Sequence, residues 1–146
     1  MESVYTVGYE EKNIDEFIQR LKEFKIRVLV DVREIPASRK KGFSKTKLNE
    51  LLETVGIKYL HVKELGSPKE LRKKLYTDKD YSYFFKEYGK HLERNIDILE
   101  QLYSETIANE PSCLMCMERL PSQCHRKAVA ERIKEINGNG LQIKHI

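Results

Sequence analysis

Val28-Leu29-Val30-Asp31-Val32-Arg33 is the stretch whose reading decides the fold. From Val28 to Val32 it is a continuous apolar run broken by one acid. A strand exposed on one face would alternate; a run like this suits a central strand buried on both faces. Pro36 prevents its continuation as a central strand. Upstream, Val4 to Val7 is a β-rich run that stops at Gly8, and Asn13 is placed to cap a helix to about Phe24. Ile14, Phe17, Ile18 and Leu21 share one face of that helix.

Downstream, Ser44 opens a helix to about Val55 with Leu48, Leu51 and Leu52 inward, and Gly56 closes it. Ile57 to Leu60 reads as a third strand, and Pro68 begins a short helix to Leu75. Helical spacing of Phe84, Tyr88, Leu92, Ile96, Leu99 and Tyr103 spans Tyr81 to Glu105, with a break expected near Gly89. Ser112 to Met117 is a fourth strand, Cys124 to Ile136 a helix, and Leu141 to Ile146 the last strand. The alternation predicts a single three-layer α/β domain with a mostly parallel, Rossmann-like sheet of about five strands. The expected strand order is 3-2-1-4-5. Ligands in such sheets bind beyond the strand C-termini where the winding reverses, here near Gly8-Tyr9, Met117-Glu118 and Asp31-Val32-Arg33.

A chain of 146 residues fits one core, and 34% charged residues argue against a disulfide scaffold. No apolar run reaches the roughly 18–20 residues of a membrane span. Met1 to Tyr5 lacks a basic then apolar leader, so a cytoplasmic protein is expected, with no membrane partner. The three cysteines lie between Cys113 and Cys124, an odd set suited to free thiols. The net charge is +4, yet the segment from Arg33 to Lys47 holds six cations against Glu34 alone. Arg39, Lys40, Lys41, Lys45 and Lys47 make this loop a solvated surface or a nucleic-acid contact, with Phe43 available for stacking.

Asp31 and Arg33 project to one side of their strand. They read as a structural ion pair, or as an acid orienting an arginine that grips phosphate or carboxylate. Glu118 follows strand four and is a candidate base or nucleophile, or else a lid on a helix N-terminus. Cys124, at an expected helix start beside Arg126, is the candidate reactive thiol, or else a packing cysteine. His125 is suited to proton transfer near neutral pH, or else points outward. The candidate catalytic set is therefore Asp31, Glu118, Cys124 and His125. The candidate anion-binding set is Gly8, Tyr9, Arg33, Ser38, Arg39 and Arg126. Tyr59 and His61 are placed near the crevice, His91 at the surface, and His145 has no identifiable partner. Cys113, Cys116, Cys124 and His125 are soft ligand types, but Cys113 and Cys116 point to opposite faces of a strand and Leu114-Met115 is a poor turn. No metal and no other cofactor is expected.

Thr6-Val7-Gly8-Tyr9, Asp31-Val32-Arg33 with Pro36 and Ser38, Gly56-Ile57 with Tyr59, Leu65-Gly66, and Cys116-Met117-Glu118 with Pro121 and Cys124-His125-Arg126 together resemble the domain of unknown function family 488. The last group is the specific one. Glu10 and Ser67 depart from the family's usual small residue and second glycine, at what would be the crevice rim. The resemblance implies a compact α/β domain with clustered motifs and supplies no activity. Three functions fit these residues: an enzyme acting on a nucleotide, nucleic-acid component or other anion; a nucleic-acid-binding module using the basic loop; and a thiol-based sensor or adaptor. The expected partner is nucleic acid or a phosphorylated small molecule.

Overall fold

Two strands bury every residue: β2 (Val28–Asp31) and β4 (Ser112–Cys116). In the computed structural model, which describes residues 3–146, they lie side by side in the middle of a five-stranded, all-parallel sheet. Met1 and Glu2, the start of the stretch read for a leader, lie outside the described residues. The sheet is completed by β1 (Ser3–Gly8), β3 (Lys58–His61) and β5 (Gln142–His145). Its order is β3-β2-β4-β1-β5.

The α/β class and the parallel sheet are as the sequence predicts; the strand order is corrected. β4, not β1, is the neighbour of β2. The reason is burial: Ser112–Cys116 is covered on both faces, whereas Ser3 and Tyr5 of β1 stay partly exposed. The most apolar strand takes the central slot. The connection from β1 to β2 therefore skips one position, which β4 later fills.

Helices α1 (Ile14–Glu23) and α2 (Lys45–Glu53) pack Phe17, Leu21, Leu48 and Leu52 against Val7, Leu29, Cys113 and Met115. Helices α4 (Tyr81–Arg94), α5 (Ile96–Leu102) and α6 (Arg126–Ile136) pack Tyr88, Leu99, Val129 and Ile133 against Val4, Val30, Leu114 and Cys116 on the other face. Alternate β4 residues thus feed opposite cores, and Cys113 and Cys116 do face opposite ways. Asn13 caps α1 in a full capping box with Glu16. The long helical region breaks at Asn95 rather than Gly89. Helix α6 begins at Arg126, leaving Cys124 extended ahead of it after a 3₁₀ turn at Pro121–Gln123. Helix α3 (Lys69–Asp78) buries none of its residues. No helix among the described residues is long and apolar enough to cross a membrane.

Candidate functional site

The parallel sheet aims the ends of β1, β2 and β4 at one edge, and a crevice of about 370 Å³ opens there. Ligand pockets commonly span about 300–1,000 Å³. Its floor is Tyr9 after β1, Arg33 after β2, and Cys116 with Glu118 at the end of β4. Arg72, Tyr76 and Lys79 from α3 and the following turn form one wall, with Tyr81 and Phe84 of α4 beside them. His125, entering α6, closes the inner end.

Arg33 is the most firmly fixed of these. The buried Asp31 carboxylate accepts from Arg33 Nε at 2.9 Å and Nη2 at 2.8 Å, and from the Arg33 backbone N–H at 3.1 Å. Tyr59 Oη donates to Asp31 Oδ2, the oxygen that also accepts from Arg33 Nη2, and Arg33 Nη1 donates to Tyr9 Oη at 3.2 Å. Burial alone would lower the Arg33 pKa; the Asp31 bonds outweigh it and hold the guanidinium above its ordinary value. His61 Nε2 donates to the Arg33 carbonyl. Tyr59 and His61 thus stand behind Arg33 rather than in the crevice. Burial pushes the Glu118 carboxyl above its ordinary range, against the pull of Arg126.

Arg126 is nearly fully buried and does not line the crevice. It donates to Thr6 Oγ1, to the Glu118 carbonyl and to the Arg119 carbonyl, clamping the loop after β4 onto β1. Gly8 makes that loop's approach possible: a Cβ there would sit 1.7 Å from the Glu118 carbonyl oxygen. Thr6 Oγ1 is also bonded to His145 Nδ1, so His145 does have a partner. Glu10, one of the two departures noted above, accepts from the Arg119 N–H and holds the rim. The other, Ser67, lines the crevice, and its carbonyl accepts from Arg72.

Cys124 is buried, and the structure joins it to Cys116 as a disulfide with Cα atoms 7.3 Å apart. It does not sit on the helix start that motivated its reading as a reactive thiol. His125 donates from Nε2 to the Val32 carbonyl at 2.6 Å, and Tyr88 packs edge-on against its ring. Burial pushes its pKa down to about 4, so the imidazole is neutral near neutral pH.

The basic loop is more structural than its charge suggests. Phe43 is fully buried, stacked on Tyr9 at 4.4 Å and edge-on to Phe17, so its expected stacking role is overturned. Lys40 Nζ donates to the carbonyls of Tyr9 and Glu10, both at 2.8 Å. Ser38 and Ser44 bond each other reciprocally. Lys47 faces Glu50, leaving Arg39, Lys41 and Lys45 pointing outward. The crevice cations Arg72 and Lys79, and the tyrosines beside them, were not found by sequence reasoning. The one signal for them was a cluster of cations and tyrosines between Lys69 and Tyr81.

A parallel α/β sheet with its candidate site at the strand C-termini is the class these features define. The chain belongs to the family described as domain of unknown function DUF488, which matches it over residues 13–133. Thr6 to Tyr9, at the foot of the crevice, precede that span. No curated protein and no solved structure matches the chain.

Proposed function

We propose that the protein is an enzyme acting on a nucleotide or a nucleic-acid component, bound in the crevice at the ends of β1, β2 and β4. The observation that carries this reading is the pairing of a pre-positioned cation with a carboxyl across one cavity. Arg33 is locked by Asp31 with part of its guanidinium directed at the crevice, and Glu118 lines the same cavity. A guanidinium fixed in advance loses little entropy on gripping a phosphate. Arg72 and Lys79 add positive charge, although Arg72 also pairs with Glu34 at 2.9 Å. Tyr76 is 81% exposed and, with Tyr81, offers flat apolar surface for a base. Glu118 is the proton-transfer group; burial raises its carboxyl above the ordinary range, the direction that favours a carboxyl able to give up and take back a proton.

The reading is tested by calorimetric titration with nucleoside monophosphates, the matching nucleosides and inorganic phosphate. Nucleotides are expected to bind at least about 10-fold more tightly than either fragment, since charge and stacking surfaces act together. Arg33→Gln is expected to weaken nucleotide binding by about 10- to 100-fold, in line with loss of a charge-assisted pair. Binding of no phosphorylated ligand, or binding untouched by Arg33→Gln, rejects it. The basic loop is not favoured as a separate nucleic-acid surface, because its aromatic is buried and Lys40 is tied to backbone carbonyls.

A further inference from the structure

We infer that Cys116, Cys124 and His125, with both cysteines as thiolates, form a three-ligand site for a tetrahedral divalent ion of the zinc class, its fourth position open to the crevice. The ligand atoms of these three residues all lie within 4.8 Å of one another, and all three residues are buried. They come from separate places: Cys116 from the end of β4, Cys124 from the extended residue after the 3₁₀ turn, and His125 from the cap of α6. Pro121–Gln123 is the turn that brings the second cysteine back to the first. The strand alternation that removes Cys113 from this group leaves the other three together, because Cys113 packs on the opposite face of the sheet.

The histidine is set up as a ligand. A backbone carbonyl can only accept, so the 2.6 Å contact to Val32 places the proton on Nε2. Nδ1 is left with its lone pair facing Cys124 Sγ at 3.9 Å. A ligating imidazole usually donates its other N–H to a carbonyl in this way, which fixes the ring. The cysteine backbones also favour an ion between the sulfurs. Their Cα atoms stand 7.3 Å apart, beyond the 4.4–6.8 Å typical of disulfides. That spacing leaves room for two sulfurs held about 2.3 Å from a shared metal.

Charge points the same way. Arg126 Nη1 lies 3.7 Å from Cys116 Sγ, and its other hydrogen-bond partners are neutral oxygens. A buried guanidinium beside a sulfur favours the thiolate over the thiol. Each thiol releases its proton to solvent as the ion binds. Cys116 and His125 line the crevice, so the open position faces any bound substrate, and Glu118 Oε2 stands 3.6 Å from Cys116 Sγ at that opening. Three protein ligands with one open position is the arrangement of catalytic rather than purely structural zinc. The site stands independently of the nucleotide reading, because metal binding itself is what the test measures.

The full chain is reduced with a phosphine, which supplies the two electrons that open the Cys116–Cys124 bond to two thiols. Freed of reductant under argon, it is titrated with cobalt(II). One equivalent is expected, with thiolate-to-cobalt charge transfer and the intense visible absorption of tetrahedral cobalt, displaced by zinc. Cys113→Ser is expected to keep that spectrum and stoichiometry. Cys124→Ser and His125→Ala are each expected to weaken binding by more than about 10-fold. Should either variant fail to fold by circular dichroism, the unreduced wild-type chain serves as the ligand-depleted control and must not bind. A reduced wild-type protein with no tetrahedral cobalt spectrum overturns the inference. So does a spectrum that survives in the unreduced chain or disappears with Cys113→Ser.

Discussion

Asp31 has no lone pair to spare for a substrate. Its two oxygens accept four hydrogen bonds, three from Arg33 and one from Tyr59, which is about the capacity of a carboxylate. It is a positioning residue for Arg33. Removing it leaves a buried guanidinium without a counter-charge, so Asp31→Ala is expected to cost about 3–5 kcal/mol in urea denaturation. The double variant Asp31→Ala with Arg33→Met is expected to recover part of that loss, since no charge is then stranded. A single-variant loss under about 1 kcal/mol contradicts this account of the pair. Gly8 offers a second contrast. Gly8→Ala drives a methyl into the Glu118 carbonyl and disturbs the Arg126 clamp, an overpacking loss of about 1–3 kcal/mol or more. Gly89→Ala, in α4 with open space around it, is expected to stabilise by about 0.5–1 kcal/mol. Melting curves of the two variants should move in opposite directions.

Helix α3 walls the crevice and meets the core only through the partly buried Leu71 and Leu75, so tertiary packing holds it less firmly than α4. Its amides are expected to exchange with deuterium much faster than those of α4, whose Phe84, Tyr88 and Leu92 are in the core, and to slow when a nucleotide fills the crevice. Equal protection of α3 and α4 in the empty protein contradicts the first expectation. The same lack of burial is why α3 was hard to read as part of the site. Sequence patterns report which residues must be inside; Val28–Asp31, the Phe17–Leu21 face of α1 and the Tyr88–Leu92–Leu99 stripe were legible for that reason. An element that turns only the partly buried Leu71 and Leu75 inward carries a weak constraint, and its Arg72 and Tyr76 look like any solvated surface. The opposite error occurred at Phe43. A basic neighbourhood suggested a free ring, but the chain turns at Gly42 and sends the ring into the core beside Tyr9. The motif Cys124-His125-Arg126 was legible as a site, but the division of labour within it was not. Arg126 turns inward to carbonyls and His125 toward the crevice, a choice made by where α6 starts.

Across the whole molecule, two histidines link stability to pH. His145 Nδ1 is bonded to the Thr6 hydroxyl, which also accepts from Arg126 Nε, so the hydroxyl proton points at a neutral imidazole. Burial first, then the Arg126 charge, lowers the His145 pKa, and burial pushes His125 down to about 4. The unfolded chain therefore binds more protons than the folded one as pH falls below about 6.5. The stabilisation is complete above that pH and is lost on acidification toward the folded-state values. For His125 alone the loss is on the order of 3 kcal/mol. Denaturation of the metal-free protein between pH 7.5 and 4.5 is expected to show stability rising with pH (the range is set by about 6.5 as the unfolded histidine value), and His145→Gln is expected to flatten that slope. A slope unchanged by His145→Gln contradicts the role given to the Thr6 contact. The central place of β4 governs how the protein comes into being during synthesis. β1 hydrogen-bonds only to β4 and β5, and β2 has only β3 beside it until β4 arrives. A nascent chain that has not yet emerged past residue 116 holds its first strand with no partner and its sheet in two unconnected pieces. Pairing across such sequence distances is slow and leaves strand edges open meanwhile. Ribosome-bound chains stalled before β4 has emerged should be cleaved readily by protease, and resistance should appear in one step once β4 is clear of the exit tunnel. Gradual protection accumulating from the N-terminus would mean that the early strands find temporary partners of their own.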